Sequence, residues 1–356
     1  MPTLALDMSD RREIFALPPR VAEALTAALP PGWRLLVAHE AADGSADGRP
    51  RVPPSVRAVV DDLEVYLGFG IPAELIRSAP RLAWVHSGAA GVGSSLTPDL
   101  VASPVVFTSS AGVHAVPMAE TALAMILHFG RGLDLAVRQQ ARGHWDAEPW
   151  YRADAPVREL AGSTVGIVGL GAVGRAVGRR VALLGAEVLG LRRRRPATPE
   201  EELRHEAQRL EARAEKVVFG AEGLDELLAR SDVLVMCTPA TRETDHLLGA
   251  GELERLREGC LLVNLARGSV VDEDALLLAL TSGRLRGAAL DVAAVEPLPV
   301  DHPLWALDNV LITPHVSAVT RGFWDRETAL VLHNLTAYLA GSPGRMRNVV
   351  DRASGY

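Results

Sequence analysis

One glycine pattern limits more than any other feature what this chain can fold into. Residues 163–174 read STVGIVGLGAVG, in which an apolar, strand-like run leads into Gly169-x-Gly171-x-x-Gly174. The helix-like run AVGRAVGRRVALLG overlaps the last glycine, and a second apolar run, AEVLGL, follows it. In a strand–turn–helix–strand unit of this kind, the glycine turn and the helix amino terminus bind the pyrophosphate of a dinucleotide. The pattern therefore predicts a parallel-sheet α/β domain that binds a dinucleotide.

Each glycine of the pattern has its own expected task. Gly169 makes the tight turn, Gly171 lets the backbone approach the pyrophosphate, and Gly174 allows the helix to pack closely on the strand. The backbone amides of Ala172 and Val173 are then expected to point at the anion. A glycine-rich turn without a ligand is the alternative, and the flanking strand and helix argue against it.

Four arginines, Arg192 to Arg195, follow the second strand of this unit. In such folds an acidic residue at this place binds the ribose hydroxyls of NAD, whereas the planar guanidinium fork suits a phosphate. The run predicts NADPH rather than NADH, with Arg192, Arg193 and Arg194 as candidate ligands of the 2′-phosphate. Arg195, next to a proline, is expected to be a solvated charge. A solvated loop is the alternative for the whole run.

The order of apolar runs and helix-like segments indicates the domain organisation. With 356 residues the chain is long enough for about two domains. Strands alternate with helices before residue 115 and again after residue 163, which predicts two doubly wound parallel sheets, one Rossmann-like and one flavodoxin-like, with an active-site cleft between them. We expect a discontinuous substrate domain at 1–115 and 320–356 and a dinucleotide-binding domain at 116–319. One long helix, MAETALAMILHFGRGLDLAVRQQARG, is expected to begin near residue 117. The charged segment 199–216 is expected to be an inserted helix, which either lies in solvent or folds back over the 2′-phosphate.

Charge and composition exclude several classes of protein. The net charge of −7 argues against general binding of nucleic acid, because a polyanion would be repelled. No apolar run reaches the length of about 20 residues that a membrane span needs. The first 15 residues carry charges where a signal peptide needs an apolar core, so we expect a cytoplasmic protein. No His or Cys spacing typical of a metal site is present, and no metal is expected.

Three later segments carry residues suited to proton transfer and anion binding. Arg267 lies in NLARGSVVDEDAL, Glu296 in LDVAAVEPLP and His315 in NVLITPHVSAVT. Each follows a predicted strand, and the carboxyl ends of parallel strands meet at one edge of a sheet. A ketone that accepts a hydride at carbon must gain a proton at oxygen, which histidine can deliver near neutral pH when a carboxylate orients it. An arginine can bind a substrate carboxylate and polarise the neighbouring carbonyl. Each residue also has a structural alternative: an ion pair for Arg267, a turn for Glu296 and a helix cap for His315.

Together with GLGAVG, CTPATRETDHLLG, PLWALDNVLITPHVSA and the terminal RNVVD, these segments resemble the D-isomer-specific 2-hydroxyacid dehydrogenase family. The glyoxylate/hydroxypyruvate reductases of that family share the basic residues after the second strand. The resemblance implies that His315 is the general acid/base, that Glu296 is its partner and that Arg267 binds the substrate. It also implies that the backbone amides of Ala90 and Gly91, in APRLAWVHSGAAGVG, bind the substrate carboxylate. The further residues expected to contact the cofactor are Thr238, Pro239, Ala266 and Asp291, with a packing role as the alternative for Asp291.

The expected activity is hydride transfer from NADPH, or from NADH, to a 2-keto acid, by a homodimer. A dinucleotide-sensing, corepressor-like binding protein of the same fold is the alternative. The chain departs from the family at Gly93, where the substrate loop often has an aspartate. We expect His86 not to touch substrate, and Phe323 and Trp324 either to wall the substrate pocket or to pack between subunits.

Overall fold

The computed structural model describes residues 1–40, 51–153, 155 and 157–352. Its strands are β1 (Thr3–Asp7), β2 (Arg34–Val37), β3 (Leu63–Gly68), β4 (Trp84–Ser87), β5 (Val106–Ser109), β6 (Thr164–Val168), β7 (Glu187–Arg192), β8 (Lys216–Phe219), β9 (Val233–Met236), β10 (Cys260–Asn264), β11 (Leu285–Leu290) and β12 (Val310–Ile312). Its helices are α1 (Pro19–Ala28), α2 (Pro54–Arg57), α3 (Ala73–Ser78), α4 (Pro98–Ala102), α5 (Ala115–Gly130), α6 (Leu133–Ala141), α7 (Glu148–Tyr151), α8 (Ala172–Leu183), α9 (Pro199–Ala212), α10 (Gly220–Arg230), α11 (Ala250–Arg255), α12 (Glu273–Thr281) and α13 (Phe323–Leu339).

The chain divides into two compact units. Unit 1 comprises Met1–His114 and Val319–Tyr356, and unit 2 comprises Ala115–Ala318. The boundaries expected from the sequence lie one residue further along the chain in each case. Within the described residues, no helix combines the length and the apolar character that crossing a membrane would require.

Unit 1 is built on a five-stranded parallel sheet in the order β2-β1-β3-β4-β5, which is the flavodoxin-like order. Alternate residues of β1 face opposite sides of this sheet, as strand geometry requires. Leu4 and Leu6 pack in the cluster that contains the buried residues of α1 and α13, and Ala5 packs in the cluster that contains those of α2, α3 and α4. The loop after β4, at the carboxyl edge of the sheet, carries Ala90 and Gly91.

Unit 2 is built on a seven-stranded parallel sheet in the order β12-β11-β10-β9-β6-β7-β8. The chain reverses its direction of winding at the β6/β9 junction, as in Rossmann folds, and ligands of such sheets bind beyond the carboxyl ends of the strands at this point. The glycine turn lies there, directly after β6. The two predicted doubly wound sheets are therefore confirmed.

The single long helix predicted near residue 117 is wrong. The structure has two helices, α5 and α6, separated at Arg131 and Gly132. Gly132 has a φ of +66°, and the position of a Cβ there would lie 2.8 Å from the indole Nε1 of Trp150. A left-handed residue ends an α-helix, and glycine accepts that conformation without steric cost.

The helix predicted within 199–216 is present, but the prediction that it is an insertion is wrong. The corresponding helix, α9, is the crossover that joins β7 to β8, which pair in parallel. It packs closely along α8: a Cβ at Gly178 would lie 2.6 Å from the carbonyl oxygen of Ala212. Leu203 and Leu210, which suggested a thin apolar stripe, are 73% and 60% exposed. The contact between α8 and α9 uses small residues instead of that stripe.

Candidate active site

The glycine turn of unit 2 has the shape that its sequence pattern requires. Gly169 has a φ of +95°, and a Cβ on it would lie 2.8 Å from the carbonyl oxygen of Cys237. A Cβ on Gly174 would lie 2.2 Å from the carbonyl oxygen of Gly169, so α8 can approach the turn only with glycine there. A Cβ on Gly171 would meet open space. Gly171 is also the N-cap of α8 and supplies no side-chain cap, so the amides of Ala172 and Val173 begin the helix beside an open surface suited to an anion.

The arginine that ends β7 and the three that follow it make different contacts. The Nη2 of Arg192 donates to the carbonyl oxygen of Leu170, within the glycine turn, at 3.2 Å and to the Oε1 of Gln208 on α9 at 2.5 Å. Arg193 forms an ion pair with Glu243 at 3.0 Å, and Arg194 is exposed. Arg195 is not simply solvated, because its guanidinium lies 5.2 Å from the ring centroid of Phe219. Burial, and secondarily Arg175, lowers the pKa of the Arg192 guanidinium.

His315 and Glu296 form a hydrogen-bonded pair. The Nδ1 of His315 donates to the Oε2 of Glu296 at 2.7 Å, and the Oε1 of Glu296 accepts the backbone amide of Ala293 at 3.1 Å. The two side chains are 37% and 38% exposed. Because Glu296 engages Nδ1, the Nε2 of His315 is the ring nitrogen left to exchange a proton with a substrate.

Asp291 holds the loop that carries His315. It is buried, and its carboxylate accepts the hydroxyl of Thr313 at 2.6 Å and the amides of Val316 and Ser317 at 2.9 and 3.0 Å. Its carbonyl oxygen accepts the amide of His315 at 2.8 Å, a residue with a φ of +54°. The geometry thus supports the packing alternative for Asp291, while its expected contact with a cofactor stays a prediction.

Arg267 follows β10, in a loop that packs on the segment leading to Glu296. A Cβ on Gly268 would lie 1.9 Å from the carbonyl carbon of Ala293, so only glycine permits this approach. Asn264 shapes the loop: its Nδ2 donates to the carbonyl oxygen of Arg267 at 3.1 Å and its Oδ1 accepts the amide of Ala266 at 3.0 Å. Sequence reasoning missed Asn264, because an asparagine at the end of an apolar run has no spacing that marks it as the anchor of the next loop.

The remaining predicted residues lie at carboxyl ends of strands. Thr238 and Pro239 follow β9 and border the glycine turn, since a Cβ on Gly169 would lie 2.9 Å from the Thr238 amide nitrogen. In unit 1, Ala90 is exposed and Gly91 half-buried. Their roles, and that of Ala266, stay predictions.

Three further residues considered in the sequence analysis lie in the core of unit 1. His86 is buried, and its ring nitrogens lie 2.8 Å from the hydroxyl of Thr108 and 2.7 Å from the Oε1 of Glu327. Phe323 and Trp324 are also buried and pack in the core cluster of this unit, so neither expected role fits them.

Comparison with known proteins identifies the family. The family model described as D-isomer specific 2-hydroxyacid dehydrogenase, NAD binding domain, matches residues 123–317. A glyoxylate reductase of Thermofilum pendens is 34% identical over 275 residues, which cover 76% of each chain. A D-3-phosphoglycerate dehydrogenase of Archaeoglobus fulgidus is 33% identical over 284 residues. That protein is longer, and the chain spans 50% of its length.

Two solved structures are similar to this chain along its whole length. A D-isomer specific 2-hydroxyacid dehydrogenase from Xanthobacter autotrophicus Py2, in complex with NADPH and MES, has a TM-score of 0.77 and 30% identity, and the match covers 100% of this chain and 99% of that one. An NADPH-dependent glyoxylate/hydroxypyruvate reductase from Sinorhizobium meliloti, in complex with NADP and sulfate, has a TM-score of 0.73 and 26% identity, with 100% of both chains covered. The chain belongs to the D-isomer-specific 2-hydroxyacid dehydrogenase family of NAD(P)-dependent oxidoreductases.

Proposed function

We propose that this enzyme reduces a small 2-keto acid of the glyoxylate or hydroxypyruvate type to the D-2-hydroxy acid, with NADPH as the preferred reductant. The observation that carries the proposal is the pair of His315 and Glu296, joined at 2.7 Å next to the Arg267 loop in the unit that has the dinucleotide turn. Relatives named as glyoxylate and glyoxylate/hydroxypyruvate reductases support the substrate class.

Each of the three residues has a defined task in this reaction. When bound, the reduced nicotinamide supplies a hydride to the carbonyl carbon. His315 donates the proton from Nε2 to the carbonyl oxygen, and Glu296 stabilises the imidazolium and fixes the ring orientation. Arg267 binds the carboxylate of the keto acid and draws electron density from the adjacent carbonyl. Binding of that carboxylate by the Ala90 and Gly91 amides, and the division into a substrate unit and a dinucleotide unit, are part of the same proposal.

The residues of unit 2 fit a phosphorylated dinucleotide. The open space at Gly171 and the uncapped start of α8 suit the pyrophosphate. Arg192, at the end of β7, replaces the acidic residue that would repel a 2′-phosphate, and its guanidinium lies against the glycine turn. Two similar structures contain NADPH or NADP, which supports the same preference.

The experiment that tests the proposal is a panel of 2-keto acids assayed with NADPH and with NADH, followed by chiral analysis of the product. We expect the highest kcat/KM with NADPH and glyoxylate or hydroxypyruvate, and a D-hydroxy acid wherever the product is chiral. A clear NADH preference would overturn the cofactor assignment. Binding of the dinucleotide without turnover of any 2-keto acid would instead favour the corepressor-like alternative, which no relative named above supports.

We also propose that the enzyme is a homodimer that uses the segment from α6 to α7. Four large apolar side chains are exposed on this segment, which is typical of an interaction surface: Leu133, Val137, Trp145 and Tyr151. Light scattering should give a dimer mass, and Trp145→Ser should weaken the dimer, because Trp145 is 97% exposed in the single chain. A monomer at micromolar concentration would contradict this proposal. The cytoplasmic location stays a prediction from the sequence.

A further inference from the structure

Two buried hydrogen-bonding atoms at the end of β7 have no partner among the described residues. They are the Nε of Arg192 and the Nδ1 of His205, which lies on α9. Buried polar atoms in folded proteins are nearly always hydrogen-bonded, so each such atom requires an explanation. The other side of the Arg192 guanidinium is engaged by Leu170 and by Gln208, one helical turn beyond His205.

Cationic groups dominate the surroundings of these two atoms. Arg175 of α8 reaches the same Leu170 carbonyl oxygen as Arg192, at 3.4 Å, and is paired with Glu211 of α9 at 2.7 Å.

His205 lies beside an aromatic ring and a further arginine. The ring of Phe219, at the end of β8, lies parallel to the His205 ring with centroids 6.3 Å apart, and Arg195 lies over the same phenyl ring. Glu201 and Arg204 act on His205 from its own helix. Two carboxylates thus face Arg192, His205 and three further arginines.

The charge balance indicates what this place can bind. Burial lowers the pKa of both Arg192 and His205; Arg175 adds to the effect on Arg192, and Arg192 to that on His205. Glu201 acts on His205 in the opposite direction, but the pKa of His205 is still lowered, so the charged forms of both groups are incompletely balanced and an anion would stabilise them. A phosphomonoester carries up to two negative charges and strong acceptor oxygens, so it can accept hydrogen bonds from more than one donor.

The position of Arg192 in the fold indicates which phosphate group of a cofactor can bind there. Arg192 ends the strand next to β6 and touches Leu170, in the middle of the glycine turn. In doubly wound domains the adenosine ribose of the cofactor binds at the end of this second strand. A phosphate on the ribose 2′-hydroxyl is therefore the phosphomonoester that reaches this place.

We propose that α9 completes the 2′-phosphate socket, with His205 as a direct ligand beside Arg192 and Gln208 as a positioning residue that orients the Arg192 guanidinium. The crossover helix, and not only the arginine run before it, then determines the preference for the phosphorylated cofactor. This inference rests on the NADPH preference proposed above.

The test compares His205→Ala and Gln208→Ala with the control Arg204→Ala, which removes an exposed charge next to His205 on the same helix. Calorimetry with 2′,5′-ADP and with 5′-AMP measures binding without turnover, and steady-state kinetics give kcat and KM for NADPH and NADH. We expect both test variants to bind 2′,5′-ADP at least about tenfold more weakly, as for a lost charge-assisted hydrogen bond. KM for NADPH should rise with little change in kcat, and 5′-AMP and NADH should be unaffected. The control should retain most of its affinity for both nucleotides.

Each other outcome overturns a distinct claim. If the wild type prefers NADH, the proposed cofactor preference fails, and this inference with it. If the wild type prefers NADPH but His205→Ala and Gln208→Ala bind 2′,5′-ADP like the wild type, only the inference about α9 fails. If the variants lose affinity for 5′-AMP and for 2′,5′-ADP equally, α9 contributes to stability or to bulk charge and not to recognition. The same holds if the control loses as much affinity for 2′,5′-ADP as the test variants do. Thermal unfolding of each variant shows whether α9 still folds.

Discussion

Replacing Glu296 by Gln tests the catalytic pair with the smallest change of shape. Glu296 accepts a hydrogen bond at each carboxylate oxygen, one from the Nδ1 of His315 at 2.7 Å and one from the amide of Ala293 at 3.1 Å. A glutamine offers only one acceptor, so the variant loses the negative charge and one of the two hydrogen bonds together.

The size of the effect follows from the distance and the exposure. Unit charges 2.7 Å apart attract by about 1.5 kcal/mol at the dielectric constant of water. We use that limit because the two side chains are 37% and 38% exposed, so solvent screens the pair. The lost hydrogen bond adds about 1 kcal/mol. A total of about 2.5 kcal/mol corresponds to a fall of roughly 70-fold in the rate of the proton-coupled step.

The assay is a single-turnover measurement of NADPH oxidation with saturating 2-keto acid, so that product release does not hide the chemical step. The matched control is Glu273→Gln, because Glu273 accepts the next backbone amide, that of Ala294, at 2.7 Å. We expect the control to keep most of the wild-type rate. A Glu296→Gln variant that reacts at the wild-type rate, with unchanged stability, would refute the assigned role of the carboxylate.

Three further predictions follow from other contacts. Arg267→Lys should raise KM for the keto acid at least about tenfold in steady-state assays while KM for NADPH stays the same, because an ammonium cannot pair with a carboxylate through two parallel hydrogen bonds. Gly171→Ala should weaken NADPH binding in calorimetry without lowering Tm, since its Cβ meets open space. Gly174→Ala should instead lower Tm in thermal unfolding, since its Cβ would lie 2.2 Å from a carbonyl oxygen. Burial raises the pKa of Asp7 from 3.8 to about 6. The folded state therefore holds this proton more tightly than the unfolded state does. The free energy of unfolding falls as pH rises through that range, by at most about 3 kcal/mol above pH 6. Asp7→Asn should therefore raise Tm at pH 8 and leave it nearly unchanged at pH 4; an equal gain at both values would contradict this reasoning.

The sequence predicts the fold class well because the strand–helix alternation is strong in most of the chain. It does not reveal β8, whose four residues KVVF lie at the edge of the sheet with only Val218 buried. A short edge strand has little of the hydrophobic alternation that marks a buried one. The topology of α9 was not predictable for a related reason, since its packing on α8 depends on small residues such as Ala212 and Gly178.

Within the candidate site, sequence patterns identify residues better than the contacts that orient them. Glu296 and His315 each follow a strand of one parallel sheet, so their proximity could be predicted from topology alone. The anchoring of Arg267 by Asn264, and of Arg192 by Gln208, depends on how loops and a helix return to the strand ends. These contacts join residues of common type with no distinctive spacing, which is why no pattern indicated them.

The measurement that tests the central claim most directly is NADPH oxidation by the wild type and by His315→Gln, with hydroxypyruvate as substrate and NADPH binding measured in parallel. The proposed mechanism predicts rapid turnover by the wild type. It predicts a fall in kcat of at least about 100-fold in the variant, the usual contribution of a general acid, with NADPH affinity unchanged. A wild type that reduces no 2-keto acid, or a variant that retains wild-type kcat, would contradict the account.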